Sequence, residues 1–530
     1  MMERIERRIR ALLLSLASNV GLYALAAFLF MGVLITSPLR WYQDQVQNYF
    51  SFILIPWGMA LCLLRLIRRQ QLAGPTGADV RVLFVLLMWI VLPFAYRFGL
   101  TYNNINSWCG YAIVFFGIYA LLREETPERR SRMFDWAGGA FCAFSLLYGA
   151  ALLYCVITVQ TFAADQGDYG FGFYGNMFLC GGIHYNTTAM VALAALFMSL
   201  SGVGRRKHLP AKLVHLLAAL MMAVIVVLTQ SRTARYAMIL AFSAGALSIA
   251  MGRIRARQPL RLLAGLLVAA LTAGVCYGGA SLLSDAALQH YMRVENARAG
   301  VAMNRQGERS LPSLAAAAEA EEESTPTPQP TPEATLATEV TLATEATLAT
   351  EATLATEATL ATEATPDPEA TPTPEATPLS LTPREATDTS FNGRMTIWEG
   401  LFTFWKDDPK AMLIGNGVGR TGGIVVENIS WNQLSGITMH NTYLQFIADF
   451  GLVGFALLCL FFLTILAPCL RTFFAAGRRV DGRLSMGMAV VAILITGMME
   501  SAPLGELTSM NVVLFFALAI LAAPQEPAAL

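Results

Sequence analysis

The 530-residue chain is 55% hydrophobic and only 14% charged, with a mean hydropathy of +0.51. A soluble domain carries roughly 25% charged residues, so most of this chain must face lipid or other apolar helices. The 37 basic and 37 acidic residues sum to zero. That sum says nothing about partners, because in a membrane protein the distribution of charge carries the information.

The start, "MMERIERRIR" followed by "ALLLSLASNVGLYALAAFLFMGVLIT", has the order of a secretory signal. Its apolar run is well beyond the roughly 7–15 residues of a signal h-region, so it reads as a first membrane helix kept in the chain. A spanning helix needs about 20 mostly apolar residues. Twelve candidates follow in order, near residues 11–36, 49–66, 80–96, 108–122, 134–160, 186–203, 211–229, 234–251, 260–281, 441–467, 484–499 and 508–524.

Charge tests this count. With the N-terminus inside, the six inner segments carry four Lys or Arg each, 24 of the chain's 37. The short outer segments carry only Arg40, Arg97, Arg232 and Arg235. That asymmetry over short loops is the positive-inside pattern. The expected fold class is therefore an all-α polytopic membrane protein with about twelve transmembrane helices, both termini cytoplasmic. Residues 1–281 hold helices 1–9, residues 282–440 form one large extracytoplasmic loop, and residues 441–530 hold helices 10–12. None of the eight cysteines forms a CxxC pair or a metal-ligand spacing, and they read as small core residues.

Inside the loop runs a period-six repeat, "EATLATEVTLATEATLATEATLATEATLAT", flanked by "STPTPQPTPEAT" and "PDPEATPTPEATP". Six residues match neither a heptad nor a helical face, and Leu is the only large apolar residue. The repeat cannot bury a core, so about 311–388 reads as a disordered, Thr-rich tether. The simpler account is a length-variable insertion, since each doubling of a loop costs only about 0.6 kcal/mol. The sharper one is an O-glycosylated surface spacer.

Three pieces outside the tether could carry chemistry. In "LTQSRTARYAMIL", Arg232 and Arg235 sit in a turn between two spans. Interfacial arginines often only snorkel to headgroups, but a guanidinium pair held at the outer surface is also a ready phosphate clamp. In "FNGRMTIWEGLFTFWKDDPKAMLIGNGVGRTGG", Arg394 and Trp398 share a helical face, and "DDP" should stop that helix. The glycine-rich turn lacks the GKT/S ending of a phosphate loop, and its glycines suit a tight re-entry toward the bilayer. In "GITMHNTYLQFIADFGLVGF", His440 stands where a polar segment becomes an apolar helix. A lone histidine there is more often a cap or interface residue than a catalyst, although its ordinary pKa near 6.5 suits proton transfer.

Together, "QSRTARYA", "GRMTIWEGLFTFWKDDPKAMLIGNGVG" and "MHNTYLQFIADFGLVGFALL" resemble the signature of the O-antigen ligase and polymerase superfamily of bacterial membrane glycosyltransferases. The anchors are Ser231 and Arg232; Arg394, Trp398, Pro409, Gly415 and Gly417; His440, Asn441, Tyr443, Leu444, Gly451 and Gly454. "GGIHYNTTAM" is similar to a further family region: Asn186 matches, while His184 and Tyr185 replace the usual small residue and Pro. The resemblance covers about residues 180–470, interrupted by the tether.

The resemblance implies a GT-C-like fold in the bacterial cytoplasmic membrane with an extracytoplasmic active site. It implies transfer of a glycan from an undecaprenyl diphosphate carrier to an acceptor hydroxyl on a glycan, lipid or protein. No metal, cofactor or nucleic acid is expected. On this reading Arg232 and Arg394 stabilise the diphosphate leaving group and His440 is the base. Arg235, Trp398, Asn441, Tyr443 and Asn186 would line the substrates.

Rivals within the class are a polysaccharide polymerase and a protein O-oligosaccharyltransferase, which share the motifs and differ in acceptor. A twelve-helix transporter or flippase would carry ionisable residues at mid-membrane. The candidates here, Asp449 and Glu500, lie nearer helix ends. A structural or sensor protein working through the tether would not need Arg232, Arg394 or His440.

Overall fold

The computed structural model describes residues 17–34, 43–68, 76–97, 102–159, 171–174, 177–180, 185–254, 258–309, 394–418, 439–500 and 504–524, with Glu6 and Ser15. The tether and His184 lie outside them. The described chain is nearly all helical, and a helix accompanies each of the twelve expected spans.

The first helices are α1 (Val20–Leu29), α2 (Gln43–Ile67), α3 (Ala78–Arg97) and α4 (Tyr102–Ala112). After α4 comes a π-helical stretch, Ile113–Ala120, then α5 (Leu121–Glu124) and α6 (Pro127–Ile157). The middle helices are α7 (Tyr185–Arg205), α8 (Leu209–Leu228), α9 (Arg232–Arg253) and α10 (Gln258–Arg309). Last come α11 (Arg394–Asp407), α12 (Pro409–Ile414), α13 (Thr442–Arg479), α14 (Gly482–Thr496) and α15 (Ser509–Ala522).

Among the described residues, one feature departs from a purely helical chain. A short antiparallel pair, β1 (Phe171–Tyr174) and β2 (Met177–Cys180), joins α6 to α7 in the register Phe171↔Cys180.

Among the described residues, seven helices are long and apolar enough to cross a membrane: Ile105–Glu124, Pro127–Ile157, Asn186–Arg205, Leu209–Leu228, Arg232–Arg253, Pro259–Arg298 and Thr442–Arg479. Four shorter apolar helices accompany them, Val20–Gly32, Phe52–Ile67, Gly482–Thr496 and Ser509–Ala522. α15 is buried along its whole length, as a helix apolar all round should be. α10 is the opposite: Leu263, Leu267, Leu271 and Val275 are all exposed. In a bilayer such a surface meets lipid rather than water. The chain divides by contacts into Met1–Arg293 with Leu381–Leu530, and Val294–Ser380. In the second unit only the closing turns of α10 are described.

The bundle has two chemically different ends. At one, Arg65 makes a two-pronged bond to Glu124 at 2.8 and 3.0 Å, and Arg68 does the same to Glu125 at 2.9 and 3.1 Å. There too Arg123 pairs with Asp79, and Arg205 with Asp135 at 2.7 Å. The buried Glu124, Glu125 and Asp79 need such partners; these pairs tie α2, α3 and α5 together, and Arg205 joins α7 to α6. The last turns of α7, α9 and α13 join this end, where Gly204 abuts Asp481 and Gly252 abuts Arg478. The opposite end holds the starts of α7, α9 and α13, with Asn186, Ser231, Arg394 and His440.

α13 is not one continuous helix. Gly451 sits inside it at φ 71° and ψ 177°, a conformation that only glycine adopts freely. The break frees three carbonyls, and each finds a donor. Asn416 N donates to Ala448 O, Gly417 N to Asp449 O, and Trp89 Nε1 to Phe450 O, all at 2.9 Å. The donors at 416 and 417 come from the glycine-rich turn, where Gly415 and Gly417 also have positive φ, 94° and 84°. The glycines of two separate motifs thus serve one purpose, docking a tight turn onto a broken helix.

Candidate active site

The site is built where four helix termini meet. α9 begins at Ser231, whose hydroxyl caps it by accepting from Ala234 N. α13 begins at Asn441, whose side chain accepts from Tyr443 N and Leu444 N at 3.0 Å. Ser and Asn are strong caps because they satisfy helix N–H groups that have no internal partner. The residue before each cap is left-handed, Gln230 at φ 54° and His440 at φ 46°. That region costs a non-glycine residue about 1–3 kcal/mol and recurs at functional sites.

α11 lies across the start of α13. Ile397, Leu401 and Trp405, one helical turn apart, pack with Ala411, Met439 and Ala448 in a buried apolar cluster. The helix ends as the "DDP" signal requires: Asp408 accepts from Ala411 N at 3.0 Å and Pro409 opens α12. At the other end of the same helix, Trp398 Nε1 donates to Met439 O at 2.7 Å. The indole therefore fixes the backbone immediately before His440.

A chain of side-chain hydrogen bonds links the separate motifs. Ser231 Oγ donates to Asn186 Oδ1 at 2.6 Å, and Asn186 Nδ2 donates to Glu500 Oε1 at 2.5 Å. The same carboxylate oxygen receives Arg394 Nη2 at 3.5 Å. Thr442 Oγ1 ties α13 to the same residue by donating to Glu500 O at 2.7 Å. Burial pushes the Glu500 carboxyl up to about 7, although the Arg394 guanidinium pulls it down. Burial also lowers the proton affinity of the half-buried His440, and Arg394 lowers it further. His440 is therefore held as a neutral imidazole, the form that can accept a proton.

The structure brings most of the expected site residues together. Arg394, Asn186 and Ser231 are bonded in series through Glu500, and His440 is close enough to feel Arg394. Asn441 also reaches Met498 O with its Nδ2 at 3.0 Å, and Tyr443 OH donates to Leu494 O at 2.7 Å. The polar groups of Trp398, Asn441 and Tyr443 thus hold the scaffold of the site. Arg232 opens α9 beside Ser231 and is exposed, and Arg235 is half-buried in the next turn. Neither forms an ion pair among the described residues.

Sequence reasoning passed over Glu500 and Thr442. Glu500 drew notice only as an ionisable residue near a helix end. The usable signal was its place in "GMMESAPLGELTSM", a carboxylate in a turn that the expected topology puts on the same side as His440. A small cavity adjoins it, lined by Glu500, Thr442, Tyr443, Met190 and Asn511.

A family model described as O-antigen ligase matches residues 217–459. The match supports the O-antigen ligase/polymerase superfamily. It spans Arg232, Arg394 and His440, whereas Asn186 and Glu500 fall outside it. A search of curated proteins finds no match. The O-antigen ligase family implies, in broad terms, a glycosyltransferase-like enzyme in a bacterial membrane, and its apolar helices fit a lipid-linked glycan as substrate.

Proposed function

We propose that this O-antigen ligase-like protein transfers a glycan from an undecaprenyl diphosphate carrier to an acceptor hydroxyl at the outer face of the cytoplasmic membrane. One observation carries the reading. The hydrogen-bonded series Ser231–Asn186–Glu500–Arg394 gathers residues from three distant stretches around a guanidinium, at the bundle end away from the ion-paired basic residues. The partition of charge supports an outer location for that end, and the twelve expected spans support a GT-C-like bundle.

The chemistry needs few parts. A polyprenyl diphosphate is already an activated leaving group. As the bond from the sugar carbon to the phosphate oxygen breaks, negative charge grows on that oxygen. Arg394 and Arg232 are suited to stabilise it, because guanidinium donors match phosphate oxygens in pairs. The acceptor hydroxyl attacks the sugar carbon and gives up its proton. His440 is suited to take that proton, being neutral and beside Arg394. Trp398 and the Asn441 cap would hold the imidazole in place.

The test is transfer by purified protein in nanodiscs, with an undecaprenyl-diphosphate-linked oligosaccharide as donor and lipid, glycan and peptide hydroxyls as alternative acceptors. Attachment to a lipid acceptor marks a ligase, growth of the chain a polymerase, and attachment to a peptide a protein O-oligosaccharyltransferase. Failure with every acceptor, using donor of demonstrated quality, would overturn the reading.

A further inference from the structure

We propose that Glu500 is a placeholder for the donor's diphosphate: it holds Arg394 while the site is empty, yields it to the phosphate, and takes up a proton in exchange. This deepens the donor reading above and rests on it.

Glu500 is 8% exposed and receives two donors on one oxygen, Asn186 Nδ2 at 2.5 Å and Arg394 Nη2 at 3.5 Å. The contact to Asn186 is short and the contact to Arg394 is at the limit of a hydrogen bond. The guanidinium is therefore held loosely, while its Nη1 has, among the described residues, only the Met499 sulfur at 3.8 Å. A diphosphate offers Arg394 two oxygens in a matched, bidentate geometry, which the carboxylate does not supply here. Glu500 also lines the cavity beside Thr442 and Tyr443.

Once the guanidinium turns to phosphate, a buried carboxylate would be left next to the donor's negative charge, with the neutral Asn186 as its partner among the described residues. A buried charge without a partner is costly and is relieved by protonation. Burial pushes the Glu500 carboxyl up to about 7 even with Arg394 beside it. Losing that cation and gaining a diphosphate both push the value higher. Among the described residues, the charged group acting on Glu500 is Arg394 on α11, the titratable Tyr443 of α13 lines the same cavity, and His440 before α13 acts on that same Arg394. From α7 Glu500 meets only the neutral Asn186.

The sign follows. Donor binding favours the protonated carboxyl, so affinity is full below about pH 7. It falls as pH rises above that value, by up to about tenfold per pH unit.

The experiment is calorimetric titration of the protein in nanodiscs with a prenyl diphosphate sugar, a phosphodiester that does not itself titrate between pH 6 and 8.5. Buffers of different ionisation enthalpy count the protons exchanged. The expected result is uptake approaching one proton at pH 8 by the wild type, and none by Glu500→Gln, whose affinity should be flat with pH. Glu500→Asp and His440→Gln should keep the uptake, which separates Glu500 from the imidazole as its source. Binding by the wild type without uptake would overturn the placeholder and leave the donor reading standing, as would uptake undiminished in Glu500→Gln. No binding by the wild type at any pH would overturn the donor reading, and the placeholder with it.

Discussion

Arg394 and Glu500 stand 106 residues apart in sequence and 3.5 Å apart in space. Their ion pair joins the helix that closes the large loop to the turn before the last helix. It is the contact on which the whole candidate site converges.

Arg394→Lys should lose most transfer activity although the charge is kept. An ammonium cannot reproduce a planar, two-pronged grip on phosphate oxygens. The expected loss is about 100-fold or more in kcat, on the scale of removing one donor to developing charge. Arg232→Lys should behave similarly. Turnover within a few-fold of wild type in both variants would return these arginines to the role of interface anchors.

His440→Ala should insert normally and bind the donor, yet react roughly 100-fold more slowly. Burial and Arg394 both lower the proton affinity of His440, so its neutral form persists below the ordinary histidine range. The rate should therefore fall on acidification through a limb below about pH 6.5. Single-turnover transfer between pH 5 and 8 reads both effects. An acid limb unchanged in His440→Ala would assign it to another group.

Trp398→Phe should leave the helix packing in place and remove the donor to Met439 O. An unsatisfied buried carbonyl costs about 1–3 kcal/mol, and the segment before His440 loses its tether. The expected outcome is a lower kcat with donor affinity within a few-fold of wild type. Equal losses in both would show that the indole contacts substrate.

Gly451→Ala should be the most destabilising of these changes. Its φ is positive, and an added Cβ would collide with the Leu413 carbonyl. The backbone conformation alone costs an L-residue about 1–3 kcal/mol, and relieving the collision pulls the glycine-rich turn off the broken helix. Thermal unfolding in detergent should start at a clearly lower temperature. An unchanged Tm would mean that the helix closes over the break.

Deleting residues 323–378 should leave insertion and most activity intact, because the repeat has no apolar face to pack. Loss of both would show that the tether has a structural part.

The sequence by itself determined the membrane class, the helix order and the presence of three motif segments. These are local properties: a run of apolar residues, a cap such as Asn441, a stop such as Asp408-Pro409. They can be read because the physics that enforces them acts within a few residues. Tertiary structure decided what no local pattern encodes. Glycines at 415, 417 and 451 are recognisable as a motif, but only the fold shows that they seat one turn on two of the freed carbonyls, with Trp89 taking the third. Trp398 and Tyr443 look like substrate residues in sequence, yet in space their polar groups bond to Met439 O and Leu494 O. Glu500 had no motif to announce it. Its importance comes from Asn186 and Arg394, 314 and 106 residues away, because a buried carboxylate takes its charge state from whatever the fold places around it.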